Sequence, residues 1–246
     1  TEAGFGSDLG AEKFLDIVCP KADIKPSTIV LVVTVRALKY NGNDSLEKGI
    51  CNIDAHLNHL KGYNVPIVVC LNKFADDSID DIEYIKDYVK RRGYALEVSE
   101  AYSKGGEGAL GLANAVIKSS DISSNFTPLV SDSLSIRDKI SKLNKAVYNS
   151  NYVDYSDKAL EKLELIDKLG LSYLPICVAK TQYSISDDPK LLGYPKDNIL
   201  HVRDLIINSG AGFITVLSGK IYTMPGLPKK PNYENIDLID GEIIGL

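Results

Sequence analysis

Three groups of residues have types and spacing suited to ligand chemistry. The first is Asn72-Lys73-Phe74-Ala75-Asp76, directly after the apolar run 65–71. An Asn there can bond the edge of a purine while the Lys stem packs on the base. A loop that caps the next helix at Asp76 or Ser78 accounts for the same residues. The second is Ser103-Lys104-Gly105-Gly106, with Gly108 two further on. Glycine lets backbone N–H groups approach a phosphate closely, and the same glycines also suit a tight strand-to-helix turn. The third is the glycine-rich run 1–12 (TEAGFGSDLGAE), which leads into a helix. Phe74 and Tyr102 put aromatic rings in the first two groups, where a pair of rings can sandwich a flat heterocycle; ordinary packing is the plainer use.

Other candidates read as structural. His56 and His59 stand three apart on a helical run, a possible zinc spacing. They flank the apolar stripe and have no third ligand, so they read as solvated histidines. The run 181–189 (TQYSISDDP) concentrates hydroxyls and carboxylates after a buried strand; Ser186 to Asp188 suits either a turn before Pro189 or a ligand. Cys19, Cys51, Cys70 and Cys177 are never two or three apart, which excludes metal knuckles and dithiol motifs and fits reduced thiols in a cytoplasmic protein. The glycosylation triplets at Asn43 and Asn125 read as accidental.

The elements that must position these residues alternate. Ser27 to Ala37 reads as a strand with no polar face, as in parallel sheets covered on both sides. Residues 44–61 read as a helix capped by Asp44, with Ile50, Ile53, Leu57 and Leu60 on one stripe. Val65 to Leu71 is a second buried strand. A helix capped by Ser78 and stopped at Gly93 follows, then a strand at 94–99 and a helix at 108–118. Ligands of such sheets bind beyond the C-terminal strand ends, where all three groups fall. The polar run 119–133 reads as a crossing segment. Helices at 134–148 and 156–169 and strands at 174–179, 199–207 and 212–217 follow, and the tail from Thr223, with Pro225, Pro228 and Pro231, reads as extended over a surface. The expectation is an α/β chain: residues 1–120 as the second half of a doubly wound parallel sheet, and 121–246 as a smaller α+β domain.

Composition sets outer limits. The chain has 246 residues, 44% hydrophobic and 25% charged, which fits a globular protein with a real core. A net charge of -5 gives no reason to expect nucleic-acid binding, and no apolar run nears the roughly 18 residues of a membrane span. Met224 is the single methionine and Thr1 the first residue, so the chain reads as a piece of a longer protein, cut upstream. No Walker A pattern occurs in it.

Several runs together resemble the formate–tetrahydrofolate ligase (10-formyltetrahydrofolate synthetase) family. They are TEAGFGSDLGAEKFLDI at 1–17, PIVVCLNKF at 66–74, SKGGEGA at 103–109, KTQYSISDDPKLLG at 180–193, SGAGFITVLSG at 209–219 and TMPGLPKKP at 223–231. The resemblance implies a P-loop-type α/β core, of which this chain is the C-terminal portion. It implies ATP with Mg²⁺ and formate giving formyl phosphate, whose formyl group passes to N10 of tetrahydrofolate. The catalytic residues and the Walker A loop are then expected on an N-terminal half that travels with the chain, within a cytoplasmic homotetramer. In the family the pterin lies between two aromatic rings. One follows Asn-Arg, here Asn72-Lys73-Phe74; the other is a Trp shortly before Lys-Gly-Gly-Glu-Gly, and Tyr102 is its match. Lys73 lacks the bidentate capacity of Arg, and the chain has no Trp. The folate-side candidates are therefore Phe74 and Tyr102, and the nucleotide-side candidates Asn72, Lys73, Ser103, Lys104, Gly105 and Gly106. Two readings of other classes are a nucleotide-binding switch or scaffold built on Asn72 and Asp76, and an assembly module with apolar interfaces and neither affinity.

Overall fold

The computed structural model describes residues 1–219 and 229–245. The chain opens with a helical segment over residues 7–22, the N-terminal helix. It has π-type turns at Ser7–Ala11 and Phe14–Val18 and a closing α turn, α1 (Cys19–Ala22). Then come β1 (Ile29–Val33), α2 (Val35–Asn41), α3 (Leu46–Gly49), α4 (Cys51–Lys61), β2 (Ile67–Asn72), α5 (Ile79–Arg91) and β3 (Ala95–Ser99). The short α6 (Ala101–Lys104), a 3₁₀ turn at Gly105–Ala109 and α7 (Leu110–Ser120) complete the first part. Strands β1, β2 and β3 form a sheet in that order, all parallel, with Val33 opposite Leu71 and Asn72 opposite Ser99. Their C-terminal ends therefore share one edge.

The second part is α8 (Ile136–Ala146), β4 (Tyr152–Tyr155), α9 (Asp157–Lys168), β5 (Ile176–Ala179), β6 (Ile199–Asn208) and β7 (Phe213–Ser218). Its sheet has the order β4-β6-β7-β5 and is mixed: only β6 and β7 pair antiparallel. A hairpin of β8 (Asp237–Ile239) and β9 (Glu242–Ile244) follows. Its Asp240-Gly241 turn has positive φ at both residues, which suits a tight two-residue hairpin turn. One continuous cluster of buried apolar residues runs from Leu15 through Leu71, Ile140 and Ile166 to Val216. The protein is thus a mixed α/β chain with a parallel sheet. No helix among the described residues is long and apolar enough to cross a membrane.

Several expectations need correction. The first strand stops at Val33, because the Thr34 side chain accepts the Ala37 N–H and caps a helix there. The helix expected over 44–61 is two, meeting at Ile50. Its cap is Ser45, which accepts from Lys48 N–H, since Asn43 and Asp44 both sit at positive φ in the turn before it. The strand β4 was not foreseen. The expected Ser78 cap is present, and Gly93 leaves α5 at φ 79°. The polar crossing segment is anchored: Asn64 donates to Thr127 Oγ1 at 2.9 Å, and Phe126 stacks on Tyr63 at 6.4 Å between centroids. Of the tail, Met224, Pro225 and Pro228 lie outside the described residues, while Pro231 is extended.

Helices α2 and α3 approach closely because Gly42 and Gly49 carry no side chain. A Cβ on Gly49 would overlap the Leu38 carbonyl oxygen. Gly49→Ala is therefore expected to destabilise the chain by about 1–3 kcal/mol through forced overpacking. The check is a lower urea midpoint at an unchanged slope.

Candidate functional site

Three segments meet at the C-terminal edge of the parallel sheet: Thr34 and the first turn of α2 after β1, the loop 73–78 after β2, and residues 100–108, with α6, after β3. Phe74 is held by its own backbone, its N–H donating to Asp77 Oδ2 at 2.8 Å. The Arg36 guanidinium lies over the Phe74 ring at 4.2 Å from the centroid and pairs with Asp76 at 2.7 Å. One face of Phe74 is thus covered by a cation from the helix that follows the neighbouring strand. Tyr102, on α6, is 99% exposed.

Glu100 organises the third loop. It accepts from Lys73 Nζ at 2.9 Å and from Lys104 Nζ at 2.6 Å, and both lysines hold its carboxyl below the usual range. Lys73 N–H also donates to Ser99 O at 3.0 Å, which stitches the two loops together. Gly105 has φ 59° and ψ -145°, a conformation open essentially to glycine alone. Gly108 lets its backbone meet Glu100, whose N–H donates to the Gly108 carbonyl at 2.9 Å. Asn72 and Ser103 are both present at this edge, and Ser103 Oγ donates to Glu100 O at 3.2 Å.

A second polar group lies deeper. Asp8, Glu12 and Asp16, spaced four apart along the N-terminal helix, are all buried. Asp8 pairs with Lys180 at 2.5 Å, and Lys180 also donates to the carbonyls of Thr181 and Ser184. Asp16 accepts from Tyr63 Oη at 2.8 Å and from Leu129 N–H at 2.6 Å. Burial still pushes the Asp16 carboxyl up to about 6. Glu12 has no hydrogen-bond partner for either carboxylate oxygen among the described residues. Burial first, and the Asp16 and Asp8 charges with it, raise Glu12 well above the carboxylate range; the Val178 amide offsets this in part without a bond of normal geometry.

His56 and His59 join this group, which corrects the expectation of solvated histidines. His59 is buried and His56 half-buried, because the N-terminal helix packs against their face of α4. Ser7 Oγ lies 2.7 Å from His56 Nδ1 and 3.1 Å from His59 Nδ1. Burial lowers both rings, His59 to about 3. A cavity of about 950 Å³ opens beside them, walled by residues 1–8, the free side of β1, His56 and residues 182–185. Among the described residues no cluster of three or more His, Cys, Asp or Glu is arranged to hold a metal ion.

The family model for formate–tetrahydrofolate ligase matches residues 1–246. The chain belongs to the formate–tetrahydrofolate ligase family. A curated relative of that name from Petrotoga mobilis (strain DSM 10674 / SJ95) is 47% identical over 258 residues, covering 100% of this chain and 47% of the relative. The chain thus spans about half the length of the ligase it matches.

The sheet edge brings Asn72, Lys73, Phe74, Tyr102, Ser103, Lys104, Gly105 and Gly106 onto two adjacent loops. The run 181–189 is a turn rather than an open cluster: Ser186 Oγ accepts from Asp188 N–H at 3.1 Å, and Asp187 Oδ2 accepts from His201 N–H at 2.7 Å and Ser218 Oγ at 3.0 Å. Sequence reasoning missed Arg36 and the buried acids. The acids' spacing of four, on a segment with Leu15 and Ile17, was the available signal.

Because Asp16 is raised from 3.8 to about 6, the folded chain binds one proton more than the unfolded chain between those values. Its contribution to stability is then full below pH 3.8 and is lost as pH rises through about 6. Unfolding free energy should fall by about 1.4 kcal/mol per pH unit across that window from this group. Asp16→Asn should remove that slope, as read by urea unfolding at several pH values.

Proposed function

We propose that this chain is the folate-side portion of an ATP-dependent ligase that joins formate to tetrahydrofolate. In this reading formate takes the γ-phosphoryl group of ATP to give formyl phosphate. The N10 amine then attacks the formyl carbon, the C–N bond forms, phosphate leaves and the amine gives up its proton. What supports the reading is the placement of Phe74 and Tyr102 on neighbouring loops of one sheet edge, at the ends of two adjacent parallel strands. Phe74 and Tyr102 take the pterin between them, with Arg36 backing Phe74 on its other face. Asn72, Lys73, Ser103, Lys104, Gly105 and Gly106 line the nucleotide side.

Magnesium enters with ATP and screens the phosphate charge; the chain's own described residues present no metal cluster for it. The Walker A loop belongs to an N-terminal half, so the reading makes this chain inactive alone. In the same reading residues 1–120 are the second half of a P-loop-type sheet, 121–246 a smaller α+β domain, and complete protomers form a cytoplasmic homotetramer. The sheet carries a mark that fits a missing half: Val32 of the edge strand β1 is 59% exposed on the face where α7 packs over β2 and β3. A further strand and helix would cover it.

In the complete enzyme, Phe74→Ala and Tyr102→Ala are each expected to lose about 2–3 kcal/mol of folate binding, from buried ring area and stacking. That is roughly a 30- to 150-fold rise in tetrahydrofolate KM, with ATP KM unchanged. Tyr102→Trp should bind folate as well or better. An unchanged folate KM, or an equal rise for both substrates, would remove these rings from the site.

A further inference from the structure

The parallel register sets two opposite charges side by side just past the strand ends. Asn72 ends β2 opposite Ser99, which ends β3, so Lys73 and Glu100 are the next residues on the two segments. Lys73 directly precedes Phe74, and Glu100 stands two before Tyr102. Their ion pair is 2.9 Å long, with side chains 31% and 27% exposed. Among the described side-chain hydrogen bonds and ion pairs, it alone joins the loop 73–78 to residues 100–108.

The Tyr102 ring has no side-chain support of its own. At 99% exposed it touches almost no other side chain, Phe74 included, so the two rings stand apart. The place of the Tyr102 ring is therefore set by its backbone, and that backbone closes on Glu100 from both sides. The Glu100 carbonyl accepts the N–H groups of Ser103 at 3.1 Å and Lys104 at 2.9 Å, and the Glu100 N–H donates to the Gly108 carbonyl at 2.9 Å. A Cβ on Gly108 would stand 2.5 Å from the Glu100 carbonyl oxygen, so the turn closes there only because residue 108 is glycine. Phe74 is fixed on its own side by Arg36 and Asp77. Glu100 thus carries both the backbone anchor of one ring and the side-chain link to the other.

The carboxylate itself is fully engaged. Oε1 takes the Lys73 ammonium group and Oε2 the Lys104 ammonium group. The two lysines hold the carboxyl below the usual range. A carboxylate so held is a poor proton acceptor and a good tether.

We propose that Glu100 is a positioning residue for tetrahydrofolate: by tying Lys73 to the start of α6, it holds the Tyr102 ring at the separation from Phe74 that admits one flat heterocycle. This rests on the reading that the pterin lies between those two rings. Glu100 touches no substrate. It acts by reducing the ordering that binding would otherwise demand of an exposed ring. Partly exposed ion pairs add little to stability, so the tie matters to the site and hardly to the fold.

The test uses the intact protein that carries this chain. Glu100→Gln keeps the size of the side chain and removes its charge. It is expected to raise tetrahydrofolate KM by about 3- to 10-fold, the scale of one or two partly exposed ion pairs. In the same variant kcat should change less than about twofold, ATP KM should not rise, and the urea midpoint should stay where it is. Lys73→Met cuts the same tie from the Phe74 side and must also raise folate KM, which keeps the test open should Glu100→Gln fail to fold. The double variant must rise no further than the larger single change, because the tie is already cut. An unchanged or lowered folate KM in Glu100→Gln, rises that multiply in the double variant, or a loss confined to kcat would each overturn the proposal. If Phe74→Ala and Tyr102→Ala raise folate KM while Glu100→Gln does not, the proposal fails alone. If those two alanine variants leave folate KM unchanged, the placement of the pterin fails and the proposal with it.

Discussion

The structure depends on one buried ion pair. Lys180 has a side chain 0% exposed, and its ammonium group sits 2.5 Å from Asp8. A lone ammonium there would face a desolvation cost of several kcal/mol. Asp8, the two neighbouring carbonyls and the Tyr148 ring at 5.5 Å supply the compensation. Lys180 follows β5 of the mixed sheet, whereas Asp8 opens the helix that packs against α4 beside the parallel sheet. The pair thus fastens the two parts of the chain together at the point where the glycine-rich run 1–6 enters the cavity wall.

From that fixed point the N-terminal helix turns three acids inward. Two stretches of π-type turn interrupt it, and such turns occur often at functional sites. Asp8 meets a cation, Asp16 meets three donors, and Glu12 meets none. Uncompensated burial is unfavourable for folding, and burying three carboxylates in one face has no packing advantage over apolar residues. At the sheet edge, Arg36 of α2, Phe74 of the loop after β2, and Glu100 and Tyr102 at the start of α6 come from three separate segments, and only parallel strands bring those segments to one side.

Much of the fold was legible in the sequence because its signals are local. The runs 29–33 and 67–71 are apolar without alternation, and both belong to strands of a parallel sheet. Ser78 and Gly93 bracket α5 as their chemistry requires. The errors arise where two local signals compete. Thr34 continues a β-branched run, yet its hydroxyl also caps a helix, and the cap prevailed. Asp44 and Ser45 are both capping types, and the turn that put Asp44 at positive φ left the work to Ser45. Asp240-Gly241 is itself a local hairpin signal, and β8 and β9 pair on either side of it.

The site was legible in a different measure. Loop positions follow from strand order, so Phe74 and Tyr102 were placed on adjacent loops by sequence alone. The histidine group was not, because its burial depends on a contact between residue 7 and residues 56 and 59, about fifty positions away. Helical periodicity places His56 and His59 beside the apolar stripe; it carries no information about which distant helix covers them. The same is true of Lys180, whose partner lies 172 positions away.

A double-mutant cycle on Asp8 and Lys180 tests the central claim most directly. Asp8→Asn and Lys180→Met, singly and together, would be compared by denaturant unfolding of the intact protein. Each single change should cost about 3–5 kcal/mol, since it strands a buried charge. The double variant should recover at least about 2 kcal/mol of their sum. Additive losses within about 0.5 kcal/mol would show that the two groups act independently, and that the ion pair is not what fastens the two parts of the chain.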